Sequence, residues 1–238
     1  MSHPTRGATR PRTLVAALLA ATVLALAGCG GSGGDSLSPE DALAEAKKHL
    51  DDTSGVHFAL ATDDLPSGVE ALKKADGTLT RAPAFKGTIT VPVLGVEADV
   101  DVVAVDGKVY AQLPFTAGFQ EIDPADYGVP DPATLLDPDD GISSLLDATE
   151  DVKKGDSVRG GEDNKQVLTE YAGTLPGDAV DKVLPGATGD FDATYTIDDD
   201  GELSKAVITG RFNGADHDPN TYTVTVDDYG TDEKITAP

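Results

Sequence analysis

Phe85, Ile89, Val91 and Val93 alternate with Lys86, Thr88 and Thr90, and a few residues on Val96, Ala98, Val100 and Val102 alternate with Glu97, Asp99 and Asp101. A repeat of two residues sends successive side chains to opposite sides of a strand, so both runs predict strands with one apolar and one polar face. The segment VAVDGKVYAQL sets Asp106-Gly107 between two β-rich runs, where glycine supplies the positive φ of a tight hairpin turn. Further on, Phe191, Ala193, Tyr195 and Ile197 alternate with Asp192, Thr194, Thr196 and Asp198; the turn DDDGE follows, and Ala206, Ile208 and Phe212 lie on one side of the returning strand. Tyr222, Val224 and Val226 repeat the pattern near the C-terminus. Runs joined by turns instead of crossover helices predict an antiparallel sheet with one apolar and one solvated face. With hairpin pairing, Ile89, Val91, Val93, Val100, Val102, Phe191, Ala193, Tyr195 and Ile197 share the apolar face; Thr90, Asp99, Asp101, Asp192 and Thr194 share the other.

Helical periodicity is confined to short segments. Ser38 is a natural N-cap, Pro39 suits the first helical position and Asp41 completes a capping-box-like Ser-x-x-Asp, so a helix is expected from about Pro39 to Leu50 with Leu43, Ala46 and Leu50 as its apolar stripe. A segment from Ile142 to Thr149 with Leu145 and Leu146, and PGDAVDKVL with Val180, Val183 and Leu184, are the other candidates to cover the sheet. That is a thin cover for a long sheet. Such a layout either buries a conventional core or leaves a cavity lined by apolar side chains. Residues 37–238 read as one domain.

The N-terminus has a different character. Arg6, Arg10 and Arg12 precede an uncharged apolar run from Leu14 to Ala27, which reads as a secretory signal over residues 1–28. The run falls short of the roughly 20 residues a spanning helix needs. Its ending, Leu26-Ala27-Gly28-Cys29, resembles a bacterial lipobox, in which small residues admit the chain to the peptidase and the thiol receives a diacylglycerol. Cys29 is the single cysteine. After acylation no thiol would remain for a disulfide, zinc site or nucleophile. Residues 29–36 form a glycine- and serine-rich tether of about 15 Å on random-coil scaling. The expectation is an exported protein, lipid-anchored at the outer face of the cell membrane.

Charge narrows the function classes. The chain has 18 basic and 42 acidic residues, a formal charge of −24; loss of residues 1–28 removes three basic and no acidic residues, leaving 15 against 42, or −27. Such a surface repels nucleic acid and anionic headgroups, so membrane contact is expected through the anchor and apolar surfaces. Catalysis has little to draw on. Beyond the signal, His49, His57 and His217 are the available imidazoles, and none lies in a nucleophile motif or at metal-ligand spacing. The acidic turn Asp198 to Glu202 fails the EF-hand pattern, since Thr196 and Val207 would hold its first and twelfth positions. Glycoside hydrolysis is a weaker alternative in a chain without tryptophan. No enzyme activity, cofactor or metal is expected.

The blocks LPSGVEALKKADGTLTRAPAFKGTITV, VVAVDGKVYAQLPFT, EIDPADYGVPDPATLLDPDDGISSLL, EDVKKGDSVRGG, YAGTLPGDAV and GDFDATYTIDDDGELSKAVITGRF closely resemble the LppX/LprAFG lipoproteins of mycobacteria and related actinobacteria, the LprG-like members most of all. The resemblance implies an α+β half-barrel: one strongly curved antiparallel sheet with helices on its concave face, enclosing a large apolar cavity. It also implies binding of acylated lipids, triacylated glycolipid or triacylglycerol, and their carriage across the envelope with a major-facilitator transporter as partner. No catalytic set comes with it. The cavity residues follow from the face assignment: Ile89, Val91, Val93, Val100, Val102, Phe191, Ala193, Tyr195 and Ile197 from strands, and Leu145, Leu146, Val180 and Leu184 from the covering segments. Exposing one methylene to water costs about 0.8 kcal/mol, so a chain of about sixteen carbons needs roughly 13 kcal/mol of shelter during transit. The competing reading is an adaptor lipoprotein with a filled core that recruits a transporter or wall enzyme.

Overall fold

The computed structural model describes residues 37–93, 95–160 and 164–238, except the side chain of Val93. The signal, Cys29 and the tether lie outside the described residues. Leu37–Pro238 forms one compact unit, and every described strand pairing and apolar cluster falls within it.

Helix α1 (Pro39–Asp52) starts as its sequence dictates. Ser38 Oγ accepts the amide of Asp41 at 3.1 Å, Pro39 occupies the first turn, and Glu40 and Asp41 stand at the positive end of the helix dipole. Ala42, Leu43, Ala46 and Leu50 form its buried stripe, and the helix runs two residues past Leu50 before Thr53 turns it into extended backbone.

Among the described residues eleven strands follow: β1 (Gly55–Ala61), β2 (Lys74–Thr80), β3 (Ala84–Val93), β4 (Val96–Val105), β5 (Lys108–Gln112), β6 (Gln120–Ile122), β7 (Glu150–Gly160), β8 (Gln166–Leu175), β9 (Thr188–Ile197), β10 (Leu203–Arg211) and β11 (Asn220–Asp227). They make a single open antiparallel sheet in the order β6-β5-β4-β3-β2-β1-β11-β10-β9-β8-β7. The chain thus meanders from β1 to one edge, crosses to the far edge, and meanders back until β11 pairs with β1. The crossing, residues 123–149, holds two short 3-10 segments, Pro124–Tyr127 and Pro132–Thr134, and helix α2 (Ser143–Ala148). Helix α3 (Gly177–Val183) joins β8 to β9.

The register settles which side chains share a face. Val100, Ile89, Ala75, Leu60, Val224, Ala206, Tyr195 and Tyr171 stand directly opposite one another in turn, one row across eight strands from β4 to β8. This inner face, with the buried sides of the helices and Ala133 and Leu136 from the crossing, forms one apolar cluster. The Asp106-Gly107 turn lies between β4 and β5, with φ of 56° and 70°. Phe85 lies against the paired glycines Gly77 and Gly87, whose lack of side chains leaves room for its ring.

The outer face carries ladders such as Thr88 to Asp101 (2.8 Å) and Thr90 to Asp99 (2.7 Å). It is not wet throughout: Ala84, Val103, Val105 and Ile235 form a second, smaller buried cluster, because the chain after β11 returns over this face. Arg81 secures the crossing, donating to the carbonyls of Leu50 and Leu136 and to Thr53 O at 3.4 Å. A cation at the C-terminal carbonyls of α1 also suits the helix dipole.

Candidate functional site: the apolar inner face

Strands β3, β4 and β9 place the expected residues as follows. Val100, Val102, Phe191, Ala193, Tyr195 and Ile197 are buried in the inner-face cluster, with Phe191 fully covered. Ile89 and Val91 are half-buried and pack against the same cluster. Val93 ends β3 opposite Val96, its side chain outside the described residues. From the cover, Leu145 and Leu146 of α2 and Val180 of α3 are buried in the cluster, and Leu184, just past α3, packs half-buried against it. The structure therefore brings together every candidate whose side chain it describes, in one contiguous apolar layer.

Polar groups within this layer are few and mostly partnered. The Tyr195 hydroxyl lies 2.8 Å from Thr149 Oγ1 and 3.5 Å from the carbonyl of Leu145, and burial raises its pKa. Tyr222 donates to Leu72 O at 2.6 Å; burial, reinforced by the carboxylate of Asp64, pushes its pKa up to about 12. Tyr229 donates to Leu203 O at 2.9 Å, and burial likewise raises its pKa. Hydroxyls held neutral and bound in this way leave the layer apolar. Phe191, Phe212 and Tyr222 form an aromatic series with ring centroids 4.8 and 4.9 Å apart, leading from the inner face to one end of the sheet.

The cover is joined to itself as much as to the sheet. α1 packs chiefly on α2, and α3 on β9. Asp51 of α1 accepts the hydroxyl of Ser143 at the start of α2 at 2.6 Å, and Lys47 of α1 donates to Pro138 O of the crossing at 2.8 Å.

These features match known proteins over almost the whole compact unit. The family described as LppX_LprAFG lipoprotein matches residues 38–237. The chain belongs to this family. The Lipoarabinomannan carrier protein LprG of Mycobacterium tuberculosis is 29% identical over 247 residues, spanning 100% of this chain and 99% of that protein. Its Mycobacterium leprae counterpart is 27% identical over 240 residues, 94% of each chain. Among solved structures, LprF from Mycobacterium bovis superposes with a TM-score of 0.66 at 17% identity, covering 84% of this chain and 96% of that one. LppX from Mycobacterium tuberculosis gives 0.59 at 16%, covering 83% and 98%. At those identities the two structures establish the shared fold, a large open antiparallel sheet with few helices.

The remaining candidate chemistry lies on the outside. His57, on the outer face of β1, has Nδ1 2.8 Å from Asp227 of β11 and Nε2 3.5 Å from Asp76 of β2. Burial opposes its protonation, but the two carboxylates outweigh burial and raise its pKa. In the β9–β10 turn the Asp198 carboxylate accepts the amides of Asp200 (3.0 Å) and Glu202 (2.9 Å), so it shapes the turn itself. Among the described residues no group of three or more histidine, cysteine, aspartate or glutamate side chains is gathered as a metal site. Sequence reading passed over Arg81, whose partners are all backbone carbonyls distant in the chain, and Asn220, a buried amide that no motif marks.

Proposed function

We propose that this protein is a lipid carrier that shelters acyl chains between the inner face of its sheet and the helices covering it. The observation that carries this reading is the uninterrupted apolar row from Val100 to Tyr171 across eight strands, faced by the apolar sides of the helical cover. On this reading cover and sheet part to admit acyl chains between Val, Ile, Ala and Phe side chains that ask no hydrogen bonds of a ligand. The LprG relatives, named as lipoarabinomannan carriers, support an acylated cargo, and on this reading triacylated glycolipid or triacylglycerol is the ligand. Ile89, Val91, Val93, Val100, Val102, Phe191, Ala193, Tyr195 and Ile197 line the acyl-chain site from below, and Leu145, Leu146, Val180 and Leu184 from above. The sheet curves into a half-barrel around the cavity so formed.

Transport follows from the anchor. The protein is exported, cut before Cys29, acylated there and held at the outer face of the cell membrane by its tether. A major-facilitator transporter acts as its partner in moving cargo across the envelope. The strongly acidic mature surface keeps the loaded carrier soluble in the aqueous space. Mass spectrometry of organic extracts from purified, non-acylated Leu37–Pro238 tests the reading: co-purifying acylated lipid is expected. A lipid-free protein whose domain still binds a transporter or wall enzyme would favour an adaptor instead.

A further inference from the structure

Two neighbouring connections at one end of the sheet hold apolar side chains out in solvent. The β3–β4 turn and the β5–β6 loop share that end, because β4 leads away from the turn and β5 runs back towards it, with Gln112 opposite Asp101 where the loop begins. In a chain of net charge −24, neither Ile89 to Val96 nor Leu113 to Phe119 contains a charged residue. Val96 is exposed on the first connection and Phe115 completely exposed on the second. A built turn holds the ring out. The amide and the hydroxyl of Thr116 both donate to Leu113 O (3.2 and 2.7 Å), Leu113 packs against the inner-face cluster, and Phe119 packs against the outer one. Between these roots Phe115 has a φ of 67°, a conformation that turns normally give to glycine and that is uncommon for a bulky residue.

Val96 is also where the inner apolar face runs out. Along β4 the inner-face positions Val102 and Val100 are buried, Ala98 is half-buried and Val96 is 69% exposed; Ile89 and Val91, opposite Val100 and Ala98 on β3, are half-buried. The face enclosed by the cover thus continues, uncovered, to the tip. Behind that tip the first charges are engaged, Glu97 with Lys73 and Asp99 with the hydroxyl of Thr90. Shape and area limit what such a rim can meet. An aromatic side chain supplies about 150–250 Å2 of contact and a valine less, whereas a standard protein interface takes about 800 Å2 from each partner. Two narrow tips are too little for a stable dimer. A bilayer makes no such demand, since apolar side chains enter its interface singly and each adds its own burial. With the anchoring proposed at Cys29, residues 29–36 keep the domain within about 15 Å of that bilayer. The acidic mature surface repels anionic headgroups, so a zwitterionic surface fits.

We propose that this end of the sheet docks on a bilayer of zwitterionic lipid, with Phe115 and Val96 inserted among the headgroups and the inner face opening onto them. The entry of acyl chains at this rim rests on the carrier reading; the docking does not. The chain has no tryptophan, so a single introduced indole reports its own surroundings. Leu37–Pro238, the compact unit described above, is given an N-terminal histidine tag and held on phosphatidylcholine vesicles containing a nickel-chelating lipid, with or without brominated acyl chains. Emission from Phe115→Trp and from Val96→Trp should move to shorter wavelength on the vesicles and be quenched by the brominated lipid. Val158→Trp, at an exposed position of β7 towards the opposite end of the sheet, should show neither change. Phe115→Asp alters a fully exposed side chain, and aspartate tolerates a positive φ, so the fold is kept. It should take up a pyrene-labelled triacylglycerol from the vesicles about tenfold or more slowly than the parent. Quenching at both tips but not at Val158 sustains the docking, and if the parent then takes up no lipid, only the carrier reading falls. A tip left unquenched, or equal quenching at Val158, overturns the docking, and uptake by the parent in that case leaves the carrier reading intact. An emission shift that grows with protein concentration in the absence of vesicles would assign the tips to a second copy of the chain and also overturn it. Uptake by Phe115→Asp at the parental rate would overturn entry at this rim.

Discussion

The hydroxyl of Tyr195 in β9 and Thr149 Oγ1, at the end of the crossing, are 2.8 Å apart with both side chains buried, so one hydrogen bond joins the helical cover to the sheet across 46 residues. The two partners are not equivalent. Thr149 also donates to Leu145 O at 2.7 Å, whereas Tyr195 has otherwise only the same carbonyl at 3.5 Å. Thr149→Val leaves a buried phenol poorly bonded and should cost about 1–3 kcal/mol, while Tyr195→Phe leaves Thr149 satisfied and should cost about 1 kcal/mol or less. Urea unfolding of both variants and the double mutant checks the order; equal losses would show that the bond does not join cover to sheet.

Gly87 and Gly77 make room for Phe85. A Cβ at Gly87 would stand 2.7 Å from both Gly77 Cα and Phe85 Cζ. Gly87→Ala should therefore lower stability by about 1–3 kcal/mol through overpacking, and Phe85→Ala by about 3–5 kcal/mol through the void it leaves. Thermal unfolding reads both, and a Gly87→Ala midpoint at the parental value would contradict this packing.

His57 makes the seam between β1 and β11 sensitive to pH. Asp227 and Asp76 raise its folded pKa above the value near 6.5 of an unfolded imidazole. Its contribution is accordingly full below about pH 6.5 and is lost as pH rises through the folded pKa. The thermal midpoint should fall between pH 6 and pH 9 in the parent and fall less in His57→Gln. Identical profiles would mean that the imidazole does not clasp the two strands.

Much of this sheet was legible because its central strands alternate strictly. Ile89 and Val100, predicted to share a face, stand directly opposite each other, and the Asp106-Gly107 and Asp198–Glu202 hairpins announce themselves by turn residues. Ser38 and Pro39 likewise mark the start of α1. Other elements escaped for physical reasons. β7 is an edge strand, nearly all exposed, so Lys153, Lys154 and Arg159 carry no alternation, and its two register shifts break the period further. β2 hides its period behind Gly77, and the pairing of β1 with β11 joins segments some 170 residues apart, which no local pattern encodes. The outer cluster of Val103, Val105 and Ile235 depends on the path of the C-terminal segment. Asn213 and Asn220 belong to no motif and become a pair only through the β10–β11 connection.

The anchor proposed at Cys29 has its own test. Cys29→Ala should abolish membrane retention of the expressed protein while leaving the unfolding transition of residues 37–238 unchanged. Retention of the variant through a high-salt wash would assign the anchoring to something other than the acylated thiol.

The lipid-carrier claim is tested most directly by enlarging a side chain on the inner face and reading bound lipid and stability together. Val100 and Val91 lie on neighbouring strands facing the cover, Val100 buried and Val91 half-buried. If acyl chains occupy the space above them, Val91→Trp and Val100→Trp should reduce extractable lipid severalfold with the thermal midpoint close to that of the lipid-free parent, the indole taking the volume of cargo. A permanently filled core would instead be overpacked at a cost of about 1–3 kcal/mol. A large drop in midpoint, together with no lipid in the parent protein, would contradict the account.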